Sequence, residues 1–256
     1  MDYKQLVENY KLKLHDMDCN VAFGKFDTVQ LKYDGFWTIV EFVGFEMRVI
    51  SSGADLRATY KMPDAYFDGT KLICEWMYGT TWAINYKKNN LVDFVIHDIV
   101  EYRNSPLEDC AYDFRMKFAQ EVVDVIKVQK FEKVSSYNLD AENFKWIWNT
   151  YPGFEGVVFK NSNGKYGDEI GRKKRDFTMD YVFMGVNEGG GKYVGQAASV
   201  KGGLYVNGTL TEVCSVGGLN DDQRREFMDK KYIGMVFEAR GKAIFASGAL
   251  RHPAFL

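Results

Sequence analysis

A lysine does covalent chemistry only where its surroundings hold it against an electrophile and manage its proton. One stretch raises that prospect. "VQLKYDGFW", residues 29–37, sets Lys32, Asp34 and Gly35 within four positions, between aromatic and β-branched side chains. The same residues suit a plainer purpose, since Asp-Gly between two apolar runs is a hairpin signal. Three fixed residues at ordinary usage recur by chance in about 5% of chains of this size. Spacing at this one place decides nothing.

The residues that follow, in order, carry more. "FDGTKLICEW" puts Glu75 at the end of an apolar run, and "FVIHDIV" puts His97 and Asp98 in a similar place. "FEGVVFK" sets Glu155 and Lys160 at the two ends of a five-residue step. "GRKKRDFTMDYVFMG" is a basic cluster, Arg172, Lys173 and Lys174 within it, leading into another strand-like run. Each piece has a bland reading. Glu155 and Lys160 suit a surface pair worth little, Glu75 an edge-strand charge, His97 a buried satisfied histidine, and the basic run a solvated face.

Taken as an ordered set, they resemble the covalent nucleotidyltransferases, and among these the small phage-type ATP-dependent DNA ligases. That family shows Lys-x-Asp-Gly, a strand-end Glu, an aromatic-Asp pair, Glu-Gly-x-Val-x-Lys and a basic Lys-x-Lys strand. Here these stand as Lys32 to Gly35, Glu75, His97-Asp98, Glu155 to Lys160, and Arg172 to Lys174. The likeness runs over roughly residues 27–256. "SVGGLNDDQRREFM", "YIGMVFEARGK" and "GALRHPAF" resemble the oligonucleotide-binding (OB) fold region of DNA ligases. That region favours DNA over the other readings, namely an RNA ligase, a GTP-using capping enzyme, or a catalytically weak nick-binding module.

The resemblance implies three nucleotidyl transfers: lysine to AMP, AMP to the 5′-phosphate of a nick, and closure by the 3′-hydroxyl. The nucleophilic amine must be neutral although its free pKa is ~10.4. Neighbouring cations favour that form and offset charge on the phosphorus transition state. Carried over residue by residue, Lys32 becomes the lysyl-AMP adduct and Asp34 organises the 3′-hydroxyl or its metal. Glu75 takes the ribose hydroxyl, Glu155 holds metal, and Lys160 and Lys174 grip the α-phosphate. Gln30 meets the adenine edge, Leu31 is a further cofactor-binding residue, and His97 stacks on the base. ATP and Mg²⁺ are the implied cofactors, with Glu155 and Asp34 the metal ligands. The implied partner is nicked double-stranded DNA, contacted by Arg48, Arg172, Lys173 and Arg251.

Departures are equally specific. Trp37 stands where the family has Arg, and "SSG" at residues 51–53 replaces Ser-Arg-x-Gly. His97 replaces Phe or Tyr, Arg172 replaces Lys, and the family's last basic motif would begin at "RHPAFL".

Positioning such a set requires strands. "WTIVEFVGFEMRVIS", "KLICEWMYG", "DFVIHDIV", "EGVVFK" and "MDYVFMGV" all read as strands. Residues 108–129 predict a helix with Phe114, Phe118, Val122, Val123 and Ile126 on its apolar face, and residues 140–151 a short one capped by Asp140. Past Gly185 the chain turns glycine-rich, the composition of a small Greek-key barrel. The expected fold class is α+β: a nucleotidyltransferase domain of antiparallel sheets and helices over 1–184, then a small OB-fold barrel over 185–256.

Composition agrees with a soluble protein: 46% hydrophobic and 27% charged in 256 residues, with a net charge of −2. Bulk charge announces no nucleic acid, so any grip on DNA must be local. Four scattered cysteines without a CxxC pair argue against zinc and for a reducing compartment. No apolar run suits a membrane span and the N-terminus lacks a signal-peptide core. The expectation is a cytoplasmic protein without membrane contact, and a monomer.

Overall fold

The computed structural model describes residues 2–245 and 247–256, apart from the side chains of Thr81 and Trp82. The chain divides into two compact units, Met1–Lys173 and Lys174–Leu256.

The first unit begins with α1 (Tyr3–Tyr10), β1 (Leu14–Asp16), α2 (Cys19–Phe23) and β2 (Thr28–Lys32). It continues with β3 (Phe36–Val43), β4 (Glu46–Ser51), β5 (Leu56–Lys61), β6 (Lys71–Trp76) and α3 (Thr81–Asn90). Next come β7 (Phe94–Tyr102), β8 (Ser105–Pro106), α4 (Tyr112–Val125), β9 (Phe131–Lys133) and β10 (Ser136–Asn138). It closes with α5 (Ala141–Thr150), β11 (Gly156–Lys160) and β12 (Ile170–Lys174), whose last residue is counted in the second unit.

These strands make two sheets. One has the order β1-β12-β11-β2-β10, and the other β5-β4-β3-β6-β7-β8 with β9 beside β7. β1 with β12 and β7 with β9 pair in parallel, while β2 with β10 and β11, and β3 to β8 along the second sheet, pair antiparallel. Alternation explains which side each strand buries. Val29 and Leu31 of β2, and Tyr33 just past its end, enter the main core with Val40 and Phe42 of β3, while Gln30 and Lys32 take the opposite face. Fully burying one such aliphatic or aromatic side chain contributes about 1.5–3 kcal/mol.

α4 packs into that core through Tyr112, Met116, Ala119 and Val122, spaced for one helical face. This corrects the expected face in part: Phe114 is exposed, and Arg115 is buried instead. α5 starts where Asp140 caps it, its side chain accepting from Asn143 N–H at 2.7 Å. α1, capped by Asp2, seats Leu6 and Val7 against Ile39, Ile50 and Ile73 on the other side of the second sheet.

The second unit holds β13 (Phe177–Glu188), β14 (Ala197–Val206), β15 (Thr209–Val216), α6 (Asp221–Glu226), β16 (Val236–Gly241) and β17 (Ala254–Phe255). They form one antiparallel sheet ordered β15-β14-β13-β16-β17. A parallel bridge between Gly217 and Ala254 links the two ends of that order. Gly185, with φ of +129°, sits at an irregularity inside β13 and does not end it.

Candidate active site

β2 ends at Lys32, and β11 starts opposite it. Lys32 pairs with Gly156, Gln30 with Val158, and Thr28 with Lys160. Directly paired residues share a sheet face, so Gln30, Lys32, Val158 and Lys160 all lie on the side away from the core. Glu155 N–H donates to the Lys32 carbonyl at 3.1 Å, which fixes this residue beside the amine. Its carboxylate forms an ion pair with Lys32 Nζ, and the two side chains remain 16% and 12% exposed. The amine lies in a partly covered site, within reach of an incoming molecule.

Beyond Lys32 the backbone must turn in very little space. A Cβ at Gly35 would lie 2.4 Å from the Trp76 carbonyl oxygen and 2.9 Å from Glu75 Cγ, so no larger residue fits. Gly35 N–H donates to Glu75 Oε1 at 2.8 Å, and Thr80 Oγ1 donates to the Asp34 carbonyl at 2.6 Å. Lys-x-Asp-Gly is therefore a turn braced against the end of β6 and the start of α3. The mostly buried Glu75 keeps its second oxygen 3.6 Å from His97 Nε2. The His97 ring meets Tyr33 edge-on, with centroids 6.0 Å apart. A register shift between β6 and β7 at Ile73/Cys74 leaves His97 as the extra residue of a bulge, which re-aims side chains locally.

Lys160 is elsewhere. Four residues of strand, roughly 13 Å, separate its cross-strand position from that of Lys32. Lys160 Nζ donates to the His97 carbonyl at 3.2 Å and stands 3.6 Å from Asp98 Oδ2. It also sits 4.4 Å from the centre of the Tyr112 ring. Asp98 in turn takes a two-pronged bond from Arg115, 2.8 and 2.9 Å, and all three charged groups are buried. Burial pushes the Lys160 ammonium below its ordinary pKa, with Asp98 opposing and Arg115 adding to the shift. The strand rise thus sets Lys160 apart from Lys32, in an ion network with Asp98 and Arg115.

Gln30 is almost wholly buried, and its Nε2 donates to Tyr112 OH at 2.6 Å and to Ser136 Oγ at 2.9 Å. Leu31 points into the core, so only its main chain is left to meet a ligand on the Lys32 face. Of the basic residues assigned to nucleic acid, Arg48 is held by Glu46 at 2.7 Å and Arg172 by Asp16 at 2.8 Å. Lys173 lies beside the Cys19 thiol. Lys174 is the final residue of β12, and Arg251 belongs to the second unit, its N–H bonded to the Ala243 carbonyl. Trp37 pairs across the strands with Glu75 and packs in the cluster that anchors α1, with Lys11 Nζ 5.9 Å from its ring centre.

Sequence reasoning missed Tyr112, Ser136 and Arg115. Tyr112 and Arg115 lay inside an expected helix, but nothing local announces a contact spanning 82 positions to Gln30.

No protein-family model matches this chain, and no curated protein does. Solved structures do. One, from work on DNA binding with a minimal scaffold in Lig E DNA ligases, aligns over 96% of this chain and 97% of that one, with 15% identity and a TM-score of 0.66. Two others, named Pmar-Lig_Pre and Pmar-Lig_PreS3, have TM-scores of 0.67 and 0.66 at 17% and 18% identity. Each is aligned over 95% of this chain, which spans 66% of the length of either, slightly under two thirds. At these identities the likeness is one of fold.

Proposed function

We propose that the chain is an ATP-dependent DNA ligase that seals nicks through a lysyl-AMP intermediate. The observation that carries this reading is the joint placement of Lys32 on Glu155 and of Glu75 on the Gly35 amide, within a fold shared with a Lig E DNA ligase. The Lys32 amine attacks the α-phosphorus of ATP, forming a nitrogen–phosphorus bond as pyrophosphate leaves. The AMP then passes to the 5′-phosphate of a nick, and the 3′-hydroxyl displaces it. For the first step the Lys32–Glu155 pair must part, because an amine engaged by a carboxylate cannot present its lone pair.

Mg²⁺ fits the donors present. It takes one or two carboxylates together with phosphate oxygens and water, and Asp34 of the turn and Glu155 beside Lys32 are the carboxylates that would hold it. When bound, it supplies positive charge at the reacting phosphate. Among the described residues no cluster of three or more His, Cys, Asp or Glu offers a fuller cage. Glu75, held by Gly35, is placed to receive a ribose hydroxyl. Gln30 and Val158 line the Lys32 face where the base would lie, with the His97 ring as its stacking partner. Lys160 serves this reading by fixing the His97 main chain, and Lys174 is the remaining candidate for the α-phosphate.

The antiparallel order of the second unit and its Gly217–Ala254 closing bridge support an OB-fold. Under this reading the two units act as a minimal ligase, working as a monomer on nicked duplex DNA. Arg48, Arg172, Lys173 and Arg251 remain the candidate backbone contacts. No helix is long and apolar enough to cross a membrane among the described residues.

The test is intact mass after incubation with ATP and Mg²⁺. A gain of one adenylyl group, absent from Lys32→Ala, is expected; an unchanged mass under conditions where nicked DNA still binds overturns the enzymatic reading.

A further inference from the structure

The peptide that joins Asp34 to Gly35 has two polar ends, and a different side chain takes each. Its N–H donates to Glu75 Oε1 at 2.8 Å, and its carbonyl accepts from Thr80 Oγ1 at 2.6 Å. Neither bond can run the other way, because a peptide N–H only donates and a carbonyl only accepts. The Thr80 hydroxyl has a second, opposite duty. It accepts from Ala83 N–H at 3.0 Å and so caps α3. Its proton serves the Lys-x-Asp-Gly turn and its lone pair serves the helix.

The segment between β6 and α3 is shaped to deliver that hydroxyl. The Trp76 carbonyl closes on Gly35. Gly79, at φ +86°, lies against the Phe36 ring, where a Cβ would come within 2.3 Å of Phe36 Cζ. Residues 76–80 thus wrap residues 34–36, and Thr80 ends the wrap on Asp34. This peptide is one that needs an anchor. A peptide followed by glycine turns over readily, because glycine accepts either sign of φ. Turned over, it would aim its carbonyl at the Glu75 carboxylate, acceptor against acceptor, and part that acid from the turn that carries Lys32.

We infer that Thr80 is a positioning residue of the reacting turn: its hydroxyl holds the Asp34–Gly35 peptide in the orientation that lets Glu75 bind it, and so keeps Lys32 and Glu75 in a fixed relation while the lysine is adenylylated. Thr80 acts through the main chain and not on the nucleotide. Tying the same hydroxyl to the α3 cap makes the turn and the helix depend on one atom. This inference rests on the lysyl-AMP reading and adds the side chain that holds its turn in register.

Substitutions at this one position separate the two duties. Thr80→Ser keeps donor and cap. Thr80→Asp keeps the cap and loses the donor, as does Thr80→Gly, which adds no charge. Thr80→Val loses both. The full chain is read in two ways: adenylyl uptake by intact mass at increasing ATP with Mg²⁺, and hydrogen exchange of the Gly35 amide by NMR without ligand. Thr80→Asp and Thr80→Gly should slow uptake at saturating ATP about tenfold, and half-saturating ATP should change less than about twofold. Gly35 N–H should exchange about tenfold faster in both. Their melting temperatures should stay above that of Thr80→Val, and Thr80→Ser should match the parent throughout. Parent-like uptake in Thr80→Asp and Thr80→Gly, or a Thr80→Ser as slow as Thr80→Val, overturns the positioning role and leaves the lysyl-AMP reading standing. Slow uptake with unchanged Gly35 exchange overturns the role as well. A parent that takes up no adenylyl group removes the lysyl-AMP reading and the role with it.

Discussion

Lys32 and Lys160 occupy one sheet face at opposite ends of the β2–β11 pair, and the structure treats them in opposite ways. Lys32 has the Glu155 carboxylate as its partner, partial exposure, and a turn beside it that admits only glycine. Lys160 is sealed with Asp98, Arg115, Tyr112 and the His97 carbonyl around it. One charge can be released; the other cannot move without unsettling its neighbours. Reactivity belongs to the end where an ion pair can open, and shape is held at the end where it cannot.

The largest effect that would break this comparison comes from the sealed end. Asp98→Ala should leave Arg115 and Lys160 buried without their counter-charge and cost about 3–5 kcal/mol, read by chemical denaturation. A loss below about 1 kcal/mol would mean that water reaches the network and that the two ends differ little. At the open end, Glu155→Gln should leave stability nearly unchanged while lowering the rate of lysine adenylylation by about 10²-fold. A variant as fast as the parent would take Glu155 out of the chemistry.

The smallest effects concern Lys160 itself. Lys160→Met should reduce adenylylation less than about tenfold, since it acts through the His97 main chain and not on phosphate. Its titration gives a finer reading. Burial holds the folded-state pKa below the ordinary value of 10.5, so between those two pKa values the unfolded chain binds more protons. Stability contributed by this group therefore rises with pH across that window and is lost as pH falls through the folded pKa. Parent minus Lys160→Met stability, measured from pH 8 to about pH 10.5, should increase; a flat difference would place the ammonium in water.

Much of the open end was legible because its geometry is local. Lys-x-Asp-Gly announces a turn, Glu155-Gly156 starts a strand, and antiparallel pairing then sets the acid beside the amine. The sealed end was not. Glu155 and Lys160 look like two ends of one motif, but strand rise separates them, and their partners arrive from β7 and α4. Arg115 carries no local sign of Asp98, its partner 17 positions away on β7. Residues 184 and 185, where the sequence turns glycine-rich, lie inside β13, which carries the glycine through an irregularity. Trp37, a departure in the motif, turns out to fasten α1 to the second sheet.

The crowding at Gly35 has a practical corollary. Main-chain atoms, not interlocking side chains, set the reach from the lysine to the acid on β6, so the dimension is cast into the polypeptide itself. Designers could rewrite much of the surrounding surface without recalibrating the reaction centre, whereas a single methyl group at this position would throw it out of true.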